Sequence, residues 1–579
     1  MDNICSTKEP RFDAGLFLMA CIKPRQKHHF CFSLFSMVEP CLFQAFWAFL
    51  CIMVKIGQFS FLVEWAGCEV PLRKSTILLI VLAAALALSA CANQQVGAPV
   101  GSLPAPQVQV SEATLAAAEP SPTKEVVIPT TARPTALPET NQALDIPKPE
   151  NRTHYQLNLI LNYYTRYAVV DETITYTNRS SQSLTELVVV VPPKYFPGSF
   201  SLRSLTDGNG SPISGWQENG VRFSIPLAAP LAPGEKTSLK FSYQLNLPSH
   251  EGTYGVSGRQ TNLTNWYPYI PPFDEEKGWI IHPQQVENNM LVGEYVVAEM
   301  SDFDVSLQLT DRQELIEVAA SAPAEEKNGT RYYHLELARG FSFSVSDSYF
   351  EHEITQDGVR IRSYVFMEAQ EAGIAVTEIA AQALKLFGQL YYPYPREMIS
   401  IVAADFLHNM EMDGMVMISY GVFDFYNKTP KTNLTILTPH EISHQWFYSM
   451  VGSDQAQEPW LDEALATYHE VLYYQTYHPD LVQWWWNNRV DGFEPKGYVN
   501  SDIYLSGGYP SYRDAVYLRG AQFMQELRDV IGDDAFFAAL KDYAVSNTYQ
   551  LAGRNDFFAA IARHSQADLN ALLAKFFRN

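Results

Sequence analysis

One pentapeptide constrains this chain more than any other stretch: His440-Glu441-Ile442-Ser443-His444. On a helix, residues four apart stand about 40° from each other around the axis, so both imidazoles reach one point from one face. Glu441 lies beside His440 and points into the same space, where a water activated by the ion would sit. Tetrahedral zinc bound by two imidazoles needs a third protein ligand and keeps its fourth position open. Glu463, separated from His444 by 18 residues, supplies that ligand. The fold must therefore bring two neighbouring helical segments together so that three side chains converge. The chain has 13 His and 63 Asp+Glu in 579 residues, and a His-acid-x-x-His match arises from that composition only roughly 0.03 times. Thr438-Pro439 with Glu441 also reads as a helix start: an N-cap, a first helical residue and half of a capping box.

Around this centre the sequence runs His440-Glu441-x-x-His444-Gln445-Trp446 and then Trp460-Leu461-Asp462-Glu463-Ala464-x-Ala466-x-Tyr468. This resembles the M1 family of gluzincin zinc metallopeptidases, to which aminopeptidase N belongs. The resemblance covers roughly residues 155–579 and is dense between 391 and 524. It implies an α+β multidomain fold. An N-terminal antiparallel β-sandwich, saddle-like, precedes a mostly α-helical thermolysin-like catalytic domain. It also implies a single Zn²⁺ held by His440, His444 and Glu463, with Glu441 as general base and peptides as substrates.

Two further motifs carry the resemblance. Asp405 to Gly414 contains Met410-Glu411 and Gly414, which match the family's G-x-M-E-N motif, whose Glu binds the substrate's free α-amine. Glu411 inherits that role, with Met410 and Gly414 shaping the substrate-binding backbone. The sequence departs from the motif at His408 and Met412, which stand where the family has Gly and Asn; subsite geometry is where these changes act. Tyr517-x-Arg519-Gly520 matches a Y-x-K-G run whose Tyr donates a hydrogen bond to the developing oxyanion, with Tyr512 as its nearest rival. The expected activity is removal of N-terminal residues from peptides. The alternatives are an endopeptidase with a similar zinc set and a surface-tethered binding protein without catalysis. The chain ends soon after the catalytic domain, so the cleft is expected to be more open than in larger members.

Outside these motifs, composition narrows the context. The net charge of −22 excludes a phosphate backbone as partner, and no obligate protein partner is evident. All seven cysteines lie at or before Cys91, so the rest needs neither disulfides nor cysteinyl metal ligands. Arg73-Lys74, an apolar run from Ile77 to Leu88 and Leu88-Ser89-Ala90-Cys91 form a secretory signal of lipoprotein type, spanning 71–91, with Cys91 as the lipid attachment site. This predicts an extracytoplasmic, membrane-anchored protein. Residues 1–70 precede the signal and are expected to be an over-extended start rather than a domain. Residues 92–150 hold ten prolines and no aromatic, a semi-extended tether.

From Tyr155 the pattern turns to strands. Leu239, Phe241, Tyr243 and Leu245 alternate with polar residues, as do Phe303, Val305, Leu307 and Leu309, which predicts half-buried antiparallel strands. Trp266 to Phe273 is too proline-rich for a central strand and is expected at a surface or junction. The β domain is placed at 151–352 and the catalytic domain at 353–579. Within the latter, 373–390 has helical periodicity and Met398–Val402 reads as a short apolar strand.

Overall fold

The computed structural model describes residues 146–287, 290–311 and 313–578, together with four backbone strands near the N-terminus. The chain forms two compact units, Met1–Val126 and Val127–Asn579. In the first, Met19–Lys23, Phe30–Ser33, Ser60–Trp65 and Cys68–Pro71 pair as a four-stranded antiparallel sheet. The expected signal with Cys91 and nearly all of the expected tether lie outside the described residues. No helix among the described residues is long and apolar enough to cross a membrane.

The second unit begins with β structure. Its largest sheet has seven strands, with Thr153–Asn162 and Tyr167–Thr177 near the centre. Lys236–Asn246 pairs antiparallel with Tyr167–Thr177, whereas Ser301–Leu309 runs parallel to Thr153–Asn162. The alternating residues of the sequence face inward: Leu239, Phe241, Tyr243, Leu245, Phe303, Val305, Leu307 and Leu309 are all buried. Three- and four-stranded sheets cover this face and enclose one apolar core. Trp266, Tyr267 and Ile270 are buried in that core. The run, expected at a surface or junction, is not at the surface, and Tyr267 also lines the cavity shared with the helical part. The prolines exclude a regular ladder, yet Tyr269 still exchanges two backbone bonds with Val190, 2.8 and 2.9 Å long, while the flanking rings fill the interior.

The helical part opens on a five-stranded sheet ordered Tyr349–Gln356, Val359–Phe366, Met398–Ala404, Met415–Ser419, Met410–Met412. Its first strand crosses the expected boundary between 352 and 353. The reason is a two-residue hairpin at Asp357-Gly358, both with positive φ, the turn that Asp-Gly favours. Helix α1 (Gln370–Leu390) packs on this sheet and ends where Tyr391 begins the Tyr-Pro run. The last strand, Met410–Met412, lies at the sheet edge. Helices from 433 onward then build the second core.

Candidate metal centre

Helix α2 (Asn433–Ser443) carries His440 and Glu441, and His444 caps it with helical backbone angles. The start read at Thr438-Pro439 is not the start, since the first residue of α2 is Asn433, six before Pro439. Pro439 sits inside the helix, where its missing N–H leaves one backbone bond unmade. Thr438 turns its hydroxyl back to the Leu434 carbonyl at 2.7 Å. Helix α3 (Trp460–Tyr477) holds Asp462 and Glu463 in its first turn, where the macrodipole favours acids. Gly520 opens the next packed helix, α4 (Arg519–Ile531). A Cβ at Gly520 would stand 2.4 Å from the Ala464 Cβ, so only glycine lets the Tyr517 segment approach α3 beside Glu463.

His440 Nε2 lies 3.2 Å and His444 Nε2 3.6 Å from Glu463 Oε2, and all three residues are buried. One donor atom from each falls within 4.8 Å of the others. The opposite ring nitrogens are engaged elsewhere. His440 Nδ1 is 2.9 Å from Glu470 Oε1, and His444 Nδ1 is 3.0 Å from the Phe447 carbonyl. Both acceptors lack protons to give, so Nδ1 carries the hydrogen and each Nε2 lone pair faces the centre. Glu470 is held in turn by Arg489, through two 2.9 Å bonds, and by Trp485 Nε1 at 3.1 Å. Burial would raise the Glu470 carboxyl, but Arg489 and the His440 bond outweigh it and hold it below the ordinary range.

The donor set fits a divalent cation. Five acids, Glu294, Glu411, Glu441, Asp462 and Glu463, surround two imidazoles. Burying each charge without a counter-ion costs several kcal/mol. Against the effect of burial, the bonds to Glu463 and Glu470 raise His440 to about 9. Burial pushes Glu441 up to about 7, and it raises Glu411 as well. These are the shifts of acids and imidazoles crowded together out of water, and two ring nitrogens and a carboxylate converge where a bound cation would displace their protons.

Glu411 is buried on the edge strand Met410–Met412, next to His444. Gln455 Nε2 bridges Glu411 Oε1 at 3.0 Å and Asp462 Oδ2 at 2.8 Å. Glu294 joins this group from the β-rich part of the chain, and its Oε2 is buried with no hydrogen-bond partner. Burial, then the Glu411 charge, raises it well above the usual carboxylate range. Gln445 ties the acid strand to α2. Its Oε1 accepts from Gly414 N at 3.0 Å and its Nε2 donates to the Met412 carbonyl at 2.9 Å. Gly414 has φ +66°, and a Cβ there would meet the Ser321 carbonyl oxygen at 2.1 Å, so the turn behind Glu411 requires glycine. Asp413 fixes the same turn through the Arg339 backbone N–H and the Arg396 guanidinium, each at 2.5 Å. Met410 is half-buried and lines the cavity, as does exposed His408.

Tyr517 stacks on His440, with ring centroids 5.9 Å apart and planes 5° from parallel. It lies in a π-helical turn, Arg513–Leu518, ahead of α4, a distortion that recurs at functional sites. Tyr512 is fully buried, does not line the cavity, and its hydroxyl has no partner. Tyr517→Phe is expected to lower kcat about 100-fold, with metal content unchanged. Tyr512→Phe is expected to leave kcat near wild type and to raise stability by up to about 1 kcal/mol, since it removes an orphaned hydroxyl. Parallel kinetics and melting curves check the pair; the opposite ordering of kcat would move the role to Tyr512.

His440, His444, Glu463, Glu441, Glu411, Glu294 and Tyr517 line a cavity of about 650 Å³. One side comes from the β-rich part, including Phe196, Tyr254 and Tyr267, and the other from the edge strand, α2 and the Tyr517 segment. Glu294, Gln445, Gln455 and Glu470 are the site residues that sequence reasoning passed over. Glu470 had a signal, since seven residues from Glu463 is two helical turns on one face. Gln445 stood inside the quoted motif. Glu294 and Gln455 had none.

Two histidines from one helix and a glutamate from the next, with a glutamate beside the first histidine, complete the HExxH arrangement read from the sequence. Residues 375–576 match the family model described as Peptidase family M1 domain. The chain is 23% identical over 237 residues to Aminopeptidase M1 of Arabidopsis thaliana, a match over 38% of this chain and 27% of that protein. It is 26% identical over 292 residues to Aminopeptidase N of Lactobacillus helveticus, over 45% of this chain and 34% of that one. The matches thus span about a quarter to a third of these relatives. The solved M1 zinc metallopeptidase from Deinococcus radiodurans superposes with a TM-score of 0.51 at 18% identity, covering 72% of this chain and 90% of that one. This likeness shows the fold: β-rich first, helical after.

Proposed function

We propose that this protein is a zinc-dependent aminopeptidase. The observation that carries the reading is the position of Glu411 and Glu294, two acids grouped with the ligand Glu463. A substrate ammonium placed between them gains charge-assisted hydrogen bonds, and it supplies the buried Glu294 Oε2 with the partner it lacks. His440, His444 and Glu463 would hold zinc, which would supply Lewis acidity toward a carbonyl and a water. Glu441 takes the proton from the attacking water on its carboxylate and passes it to the leaving amine. The Tyr517 hydroxyl donates to the oxyanion as it develops. Glu470 and the Phe447 carbonyl hold both imidazoles in one tautomer throughout. The Arg73–Cys91 segment supports a further part of the proposal, that the enzyme acts outside the cytoplasm on a lipid anchor at Cys91.

The test is hydrolysis of free and N-acetylated peptides of the same sequence, by purified protein and by intact cells. Free peptides are expected to lose one residue at a time while acetylated ones persist, with the activity present on unlysed cells. Cleavage of acetylated peptides at internal bonds would transfer the site to an endopeptidase. Activity released only on lysis would remove the extracytoplasmic placement.

A further inference from the structure

Asp413 lines the catalytic cavity, while Arg396, which holds it, lines a second cavity of about 780 Å³. The two cavities share no lining residue. One wall of the second is the outer face of the seven-stranded sheet. There Gln156 stands opposite Asp304, and Asp304 opposite His334. One row further on, Asn158, Ser306, Tyr332 and Glu325 stand side by side across four strands. The residues between them, among them Leu157, Val305 and Tyr333, turn into the β core. The polarity of the wall thus follows from the two-residue period of a strand. Met398, Met450 and Tyr549 come in from the helical part on the other side.

Some of these polar groups satisfy each other. Ser306 Oγ donates to Asn158 Oδ1 at 2.9 Å, and His334 Nδ1 lies 2.7 Å from Asp304 Oδ1. Asn158 Nδ2, the Gln156 amide, the Glu325 carboxylate and the Tyr332 hydroxyl have no hydrogen-bond partner among the described residues. The Tyr332 ring is 47% exposed, an aromatic face left in water among unpaired donors and acceptors. Leu337 and Tyr549, also in the wall, hold φ of +55° and +69°. That conformation costs a bulky residue about 1–2 kcal/mol, and such outliers gather where ligands are held.

The charges in the wall disfavour an ionic ligand. Lys148 and Arg396 face four acids, Asp304, Glu325, Glu336 and Glu397, a balance that repels anions. Two of those acids are already engaged, Asp304 by His154 and His334 and Glu336 by Lys148, which weakens the pull on a cation. The ligand that suits such a wall is uncharged, rich in groups that both donate and accept, and flat on one apolar side. A sugar ring meets all three demands. Its hydroxyls donate and accept at once, and its C–H face packs on an aromatic ring.

We propose that this second cavity binds a short neutral saccharide, with Tyr332 as the stacking platform and Gln156, Asn158 and Glu325 as partners for its hydroxyls. The site does not depend on the aminopeptidase reading.

The experiment is titration calorimetry of the zinc-loaded protein with maltotriose, cellotriose and chitotriose, and with spermine and citrate as charged probes. At least one trisaccharide is expected to bind with a Kd below about 1 mM. Tyr332→Ala and Gln156→Ala are each expected to weaken that binding about 10-fold or more. Both side chains are exposed, so melting temperatures within about 2 °C of wild type are expected and show the fold intact. Failure of all three sugars to bind overturns the proposal, as does an unchanged Kd in both variants. Saturable binding of spermine or citrate with no sugar binding overturns it as well.

Discussion

Replacing Glu441 by Gln is expected to lower turnover about 1,000-fold or more while zinc stays bound at one per chain. The amide keeps the size and position of the carboxyl but cannot accept the water's proton. Glu441 is absent from the convergent donor set of His440, His444 and Glu463, so the metal should not register its loss. Glu441 is buried rather than solvated on a helix surface, and burial raises its carboxyl to about 7. Metal analysis beside steady-state kinetics decides the matter. Turnover within tenfold of wild type would take the proton-transfer role from Glu441.

The second large effect is expected at Glu463. Glu463→Ala leaves two imidazoles, one ligand short of the three that a zinc hydrolase site employs. The variant is expected to lose its metal on dialysis and to show no activity above background. Wild type held at zinc concentrations about 1,000 times Kd gains about 4 kcal/mol of stability, so the variant should also lose the zinc-dependent rise in melting temperature. Atomic emission and calorimetric melting with and without zinc measure both. Stoichiometric zinc in the dialysed variant would mean that another acid, with Glu411 and Asp462 nearest to His444, completes the coordination.

The centre was legible in the sequence because it obeys helical period: His440 and His444 share a face, and Glu463 opens the next helix. The β-rich part was legible for the same kind of reason, since the alternation in 239–245 and 303–309 survives as inward-facing side chains. Where local signals competed with tertiary demands, the reading failed. Thr438-Pro439 has the composition of a helix start, yet α2 begins at Asn433, since packing around the centre outweighs one missing backbone bond. The prolines of 266–273 suggested a surface or junction; the flanking rings also fill the β core, with Tyr267 reaching the cavity wall. Glu294 stands 117 positions before Glu411 and no periodicity links them; only the folded chain brings the two acids together. Gln445 was visible as a letter of the motif but not as a link, because its two bonds reach a strand more than thirty residues away.

That link has a mechanical consequence. Gln445 follows the metal-facing His444 directly and its side chain clasps the turn behind Glu411, which ties Glu411 to the histidine pair. In the proposed reaction that clasp, a side-chain amide gripping two backbone groups, fixes how far the substrate's amino end lies from the bond to be cut.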